Sequence, residues 1–290
     1  MFEGFVEETI ELPESSVFVR YARDGPPVVL LHGHPRTSST WHRVAPLLVA
    51  AGRSVICPDL RGYGGSRAPA PRADHRQASK RAMARDIVAL LAHLGCEQVD
   101  VVGHDRGSYA ALRLALDHPQ RVRRLVLIDS IPITEHLDRI NAAFATQWWH
   151  WFFYAQPDKP ERAVLADPAA WYGGDPANMG PENFAERQRA IHDPDVVQAM
   201  IEDYRAGLTV DAEDERADRA VGRRLRMPLL VLWSERDDLV HLHGDPRVIW
   251  RRWADNVVGH GIDSGHHVAE EAPEALATSI DGFLRDRESG

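Results

Sequence analysis

"VDVVGHDRGSYA", residues 99–110, is the stretch on which the reading of the chain turns. A run of apolar, mostly β-branched residues stops at Gly103-His104-Asp105-Arg106-Gly107, and a helix-forming stretch, SYAALRLALDH, follows. Small residues two places either side of Asp105 permit a sharp strand-to-helix turn that pushes the central side chain out at the sheet edge. An acid can also sit at a helix N-terminus merely to meet the macrodipole. That role would not call for glycine at both 103 and 107. Elbows of this kind usually carry serine, which needs a base to become a nucleophile, whereas an aspartate is already ionised at neutral pH.

Strands and helices alternate on both sides of the elbow. FVEETIEL (5–12) and SSVFVRYA (15–22) predict an opening hairpin. PPVVLLHG (26–33), RSVICPDL (53–60), VDVVGH (99–104), RLVLID (124–129) and PLLVLWS (228–234) read as buried strands. TSSTWHRVAPLLVAAG (37–52), SKRAMARDIVALLAHLG (79–95) and a closing EEAPEALATSIDGFLRD (270–286) read as helices, the first two stopped by Gly52 and Gly95. The pattern is α/β, with a mostly parallel sheet flanked by helices. Residues 132–225 differ. They show no strand, cluster Trp148, Trp149, Trp151, Phe152, Phe153 and Tyr154, and include the loop-forming WYGGDPANMGP. A helical cap is expected there, over the C-terminal sheet edge where ligands of open α/β sheets bind. The core is expected from residues 1–131 and 226–290.

Two further pieces complete a constellation. His266 lies in DSGHHVAEEAP, just before the closing helix, where a base is expected, and an acid should follow a strand after the elbow. Asp129 ends RLVLID and Asp237 lies in WSERDDLV, so either can serve. Nucleophile, acid and late histidine stand in the chain order of the α/β-hydrolase fold. HGHP (32–35) suits an oxyanion loop, with the His34 and Arg106 N–H groups as donors. His32 is expected to support a strand end and Asp59 to order the RGYGGS turn. An ionised Asp105 can attack a saturated carbon and expel a leaving group, forming an ester of the protein. His266 would then activate water to hydrolyse that ester. Alkyl halides and epoxides suit such chemistry.

The sequence resembles the fluoroacetate/haloacetate dehalogenases of this fold over nearly its whole length. The stretches that carry the resemblance are HGHPRTSSTWHRVAP, DLRGYGGS, KRAMARDI, GHDRGSYAALRLALDHP, LVLIDSIP, WHWFFYAQP, EDYRAG and SGHHVAEEAP. The resemblance implies Asp105 as nucleophile, Asp129 as acid, His266 as base, and His150, Trp151 and Tyr204 as the halide-binding groups. Asp237 then becomes a surface turn acid. The substrates implied are short 2-haloacids, with no cofactor, no metal and a homodimeric assembly. The family follows its nucleophile with two arginines that grip the substrate carboxylate, one adjacent and one four residues on. Here Arg106 is present but Tyr109 holds the second position. Arg106, Tyr109 and His34 are the expected substrate contacts, with Arg36 as a replacement charge.

An epoxide hydrolase is the competing reading. It would use the same triad with tyrosine donors, for which Tyr154, Tyr172, Tyr204 and Tyr109 are available. Epoxide hydrolases resemble GxDWG at the elbow, and Arg106 stands in place of that tryptophan. A non-catalytic binding protein of this fold would be expected to lack the nucleophile or the base, and both are here. The 290 residues carry a net charge of -9 with scattered signs, which excludes a basic nucleic-acid surface. Cys57 and Cys96 have no metal-type spacing and are expected to be reduced. His241 and His243 in HLHG are expected in a loop. The N-terminus has neither the basic nor the apolar segment of a signal peptide, and no apolar run approaches a membrane span. A cytoplasmic protein with a small-molecule substrate and no membrane partner is expected.

Overall fold

The computed structural model describes residues 1–285, so the helix expected to reach Asp286 is described only as far as Arg285. Eight strands form one sheet: β1 (Val6–Glu11), β2 (Ser16–Ala22), β3 (Pro27–Leu31), β4 (Ser54–Pro58), β5 (Val99–His104), β6 (Val122–Ile128), β7 (Leu229–Ser234) and β8 (Val257–Ile262). Their order is β1-β2-β4-β3-β5-β6-β7-β8. β2 runs antiparallel to β1 and β4, and every other pairing is parallel. All six residues of β5 are buried, because helices cover both faces of the sheet there. Asp100 tolerates that burial by accepting two bonds from Arg123, at 2.9 and 2.7 Å.

The register places the functional edge. Leu31 pairs with Gly103, His104 with Ile128, and Ile128 with Leu232. The chain therefore leaves β3, β5, β6 and β7 at nearly one level, carrying His34, Asp105, Asp129 and Asp237 to the same edge. The helix Arg106–Asp117 runs back beneath it, with all residues but Asp117 buried.

Local chemistry adjusts three expectations. The stretch 37–52 breaks into a 3-10 turn, Ser38–Trp41, and a helix, Val44–Ala50. Pro46 has no N–H to bond the carbonyl of residue 42, so one continuous helix cannot form. HLHG closes a short helix, Leu239–His243, rather than a loop. VVGHGI, which had not read as a strand, forms β8 at the sheet edge. Its burial is partial, and its two glycines dilute the apolar signal.

Between β6 and β7 the chain is helical from Ile133 to Ala220, with connecting turns and no strand. The helix Pro194–Ala206 passes through one π turn, Gly207–Asp211, into Ala212–Ala220. Such turns often mark functional sites. This one brings Asp211 to the backbone N–H of Lys80 at 2.8 Å. It also sets Gly207 against Arg106: a Cβ on Gly207 would lie 3.0 Å from the guanidinium. Glu215 caps the first helix of this segment, accepting the Ile133 and Thr134 N–H groups at 3.1 and 2.7 Å. No helix among the described residues is long and apolar enough to cross a membrane.

Candidate active site

Asp105 sits at φ 51°, ψ -120°, a left-handed conformation that costs a non-glycine residue about 1–3 kcal/mol. The turn that holds it is closed by glycines for steric reasons. A Cβ on Gly107 would lie 2.4 Å from the Leu31 and His32 carbonyl oxygens, and one on Gly103 would lie 2.6 Å from the Gly107 oxygen. A Cβ on Gly33 would strike the Asp105 carboxylate itself, 2.4 Å away. The His34 N–H donates to Asp105 Oδ1 at 2.7 Å, which pins that oxygen. Burial alone would raise the Asp105 carboxyl. The charge of His266, with His104 and Arg106, outweighs it and holds the group below the ordinary carboxylate value.

His32 and Asp59 order the loops around this centre. His32 Nε2 accepts the Leu60 N–H at 2.9 Å, so its proton is on Nδ1 and goes to the Gly33 carbonyl, also at 2.9 Å. Asp59 accepts the Ser38 N–H at 2.6 Å and the Gly65 N–H at 2.7 Å.

His266 faces two ways. Nε2 stands 4.0 Å from Asp105 Oδ2, too far for a direct bond and suited to a water held between the imidazole and the carboxyl carbon. Nδ1 is bonded to Asp237 Oδ2 at 2.7 Å. The expectation that Asp129 pairs with His266 is corrected here, as is the reading of Asp237 as a mere surface acid. Asp129 also leaves its strand at positive φ, 49°, but both its oxygens are held by the next strand. Oδ1 accepts the Ser234 N–H at 2.6 Å and Oδ2 the Ser234 hydroxyl at 2.5 Å. Burial disfavours a charged His266. The Asp237 bond and the charge of Asp105 overcome that and push it up to about 10. Asp237 in turn is raised by burial but brought below its ordinary value by His266. Asp237→Asn is therefore expected to slow ester hydrolysis about 100- to 10,000-fold. Asp129→Asn should change it by no more than about threefold, since Ser234 N–H keeps an acceptor. Single-turnover kinetics on the two variants, with thermal melts to confirm folding, read the difference. The reverse ranking would reinstate Asp129.

A cavity of about 270 Å³ opens over this edge, lined by Asp105, His266, Asp237, His34, His150, Trp151 and Tyr204, and also by Pro35, Gln147, Trp148, Asp238 and His267. A second cavity of about 260 Å³ near Arg67 and Ala199 contains neither nucleophile nor histidine. The structure brings His150, Trp151 and Tyr204 together with Asp105 on the wall of one cavity. None of the three has a side-chain hydrogen bond to another described residue, and Trp151 and Tyr204 are 3% exposed. Burial keeps His150 and His34 neutral at ordinary pH, lowering them to about 4 and about 3.

The expected substrate contacts are corrected more sharply. Arg106 is not on the cavity wall. Its Nε donates to Asp203 Oδ2 at 3.0 Å, and its Nη2 to Asp203 Oδ1 at 2.9 Å and the Asp203 carbonyl at 2.7 Å. Lys80 and Tyr63 bond the same carboxylate, Tyr63 at 2.8 Å. The Tyr204 ring lies over the guanidinium at 4.2 Å. Tyr109 points away too: its hydroxyl meets His136 Nε2 at 3.1 Å, and His136 Nδ1 meets His243 Nε2 at 2.9 Å. Arg36 is paired with Glu270, at 2.9 and 3.1 Å, and supplies no replacement charge. A buried acid one residue before Tyr204 was the sequence signal for the Arg106 pairing, and its partner was not readable locally.

Cys57 and Cys96 are free thiols. His104, Asp129 and His266 bring ligand atoms within 4.8 Å of one another, as a metal site would. Two of them are already engaged, Asp129 with Ser234 and His266 Nδ1 with Asp237.

The fold and this edge define a hydrolase. Residues 26–273 match the family described as alpha/beta hydrolase fold, and the chain belongs to it. It is 36% identical to a fluoroacetate dehalogenase from Burkholderia sp., over 100% of this chain and 97% of that one. It is 33% identical to a soluble epoxide hydrolase from Corynebacterium sp. (strain C12), over 87% and 88%. In structure it is similar to ALR0039 of Nostoc sp. PCC 7120, an α/β hydrolase, with a TM-score of 0.94 at 40% identity, covering 98% of this chain and 99% of that one.

Proposed function

We propose that the protein is a hydrolytic dehalogenase related to the haloacetate enzymes, acting on a short 2-halogenated compound through an ester of Asp105. The observation that carries this reading is the trio His150, Trp151 and Tyr204. Their polar atoms have no side-chain hydrogen bond among the described residues, and they face the cavity together with the nucleophile. Three donors at that place suit an anion that develops as a carbon–halogen bond breaks.

The lone pair of Asp105 Oδ2 forms the new C–O bond as the carbon–halogen pair departs with the halide. The helical segment 132–225, acting as a cap, holds the halide against the donor trio. Loss of the Asp105 charge weakens the hold of His266 on its proton, which passes to solvent. Water then adds to the Asp105 carboxyl carbon and gives a proton to His266 Nε2. The charge that builds on Oδ1 is met by the His34 N–H. Collapse of the intermediate expels the product oxygen, which takes the proton from His266, and restores the Asp105 carboxylic group. That group ionises at once. Asp237 keeps the imidazole oriented throughout.

Epoxide opening is the second reading, favoured by Tyr204 and His150 as proton donors to an alkoxide and by the likeness to an epoxide hydrolase. Halide release from fluoroacetate, chloroacetate and 2-chloroacetamide, run beside diol formation from styrene oxide, separates the two. Halide from at least one of the three, well above an Asp105→Ala background, is expected. Diol without halide would replace the dehalogenase by the epoxide hydrolase.

A further inference from the structure

We infer that the substrate of this site is uncharged beside its reacting carbon: an α-halogenated amide or a similar neutral two-carbon compound, rather than the anion of a haloacid. The inference rests on the ester mechanism proposed above and specifies its substrate.

Among the described residues, the arginines and the lysine near Asp105 that could hold a carboxylate are engaged or screened. Arg106 is clamped on Asp203 by three bonds and covered by the Tyr204 ring. Its remaining nitrogen, Nη1, has no partner, but it has no exposed surface either. Lys80 shares Asp203 and is 2% exposed. Arg36 belongs to Glu270. Arg187 keeps two nitrogens unpaired, yet it is fully buried, bonds the Tyr172 carbonyl at 2.7 Å, and does not reach the cavity wall. Tyr109, at the position of a second arginine, is a buried phenol bonded to His136.

The groups that do line the cavity tell the same story. His34, His150 and His267 are held neutral by burial, and the acids Asp105, Asp237 and Asp238 face a single imidazolium, His266. A substrate anion entering here would add a charge of the sign already in excess. An amide would meet no such opposition, and the ring nitrogens of His34 and His150 can bond its carbonyl or its NH₂ group.

2-Chloroacetamide and chloroacetate have nearly the same shape and the same leaving group, so they isolate the charge. The wild-type kcat/KM for chloride release is expected to be at least about tenfold higher for the amide, a factor equivalent to about 1.4 kcal/mol. Because a carboxylate also slows attack by an anionic nucleophile, binding is measured as well. Calorimetric titration should show glycolamide binding at least about threefold more tightly than glycolate. Equal or faster turnover of chloroacetate, or tighter glycolate binding, would overturn the inference while leaving the ester mechanism intact. Diol formation with no chloride from either compound would remove the dehalogenase reading and this inference with it. Tighter glycolate binding overturns the inference even if turnover cannot be compared.

Discussion

Asp105→Ala is expected to abolish halide release, lowering kcat/KM by at least about 10,000-fold. On the proposed ester mechanism the side chain forms the bond to carbon, and no neighbour can take over. Asp129 is held by Ser234, while Asp237 is bound to His266. The alternative route, direct attack by water with His266 as base, needs a proton transfer in the bond-forming step that an already ionised carboxylate does not. A water nucleophile would also lack the alignment set by the His34 N–H on Oδ1. Alanine is preferred to asparagine because an amide at this place can hydrolyse back to the acid. The variant relieves the backbone strain at φ 51° no further than any residue with a Cβ would, so its fold should be retained and a thermal melt can show it. Halide release above one-hundredth of the wild-type rate by a folded Asp105→Ala protein would show that the carboxylate is not the nucleophile.

His266→Gln is expected to release one halide per molecule and then stop, with turnover lowered about 100- to 10,000-fold. The first step needs no proton transfer, so the ester forms. The second needs a base at Nε2, and glutamine offers none. Mass spectrometry of the intact protein should find the alkyl group retained, and peptide mapping should place it on Asp105. The wild type carries a related pH signature. In the resting protein burial opposes the imidazolium, while Asp237 and the charge of Asp105 favour it and raise its titration to about 10. Ester formation removes the Asp105 charge, so the histidine titrates lower in the intermediate. Below that lower value it is protonated and cannot act as base. Ester hydrolysis should therefore slow as pH falls through it, while ester formation stays level until Asp105 itself titrates. Single-turnover measurements of halide burst and product release across pH separate the two limbs. Parallel pH profiles for both, or a His266→Gln protein that turns over without accumulating ester, would remove His266 from the base position.

These variants also show why some of the site was legible and some was not. Asp105 and its two glycines announce themselves because the constraint is steric and local: a strand must turn into a helix within a few residues, and a Cβ at either glycine would strike backbone. His266 was legible from its place before the last helix. The partner of His266 was not. Both candidate acids follow parallel strands, and choosing between them depends on how Ser234 meets the end of β6. The resemblance favoured Asp129, and the geometry gives the histidine to Asp237. Arg106 shows the same division. Its position next to the nucleophile suggested a substrate contact, and only the packing of the helix Pro194–Ala206 onto the sheet edge brings Asp203 to it.

By itself the sequence determined the alternation of strands and helices and the elbow, and it placed at the elbow's tip a carboxylate that is ionised at neutral pH. These depend on periodicity, sterics and intrinsic acidity, which act over a few residues. Tertiary structure decided the rest: which acid holds the histidine, which cations face the substrate, and which donors are left without partners. Asp203 lies 97 residues from Arg106, and Asp237 lies 29 from His266. A buried charge takes whichever opposite charge the packing brings within hydrogen-bond reach, because leaving it unpaired is far more costly than any local preference. That choice is a property of the folded chain and is absent from the spacing of its residues.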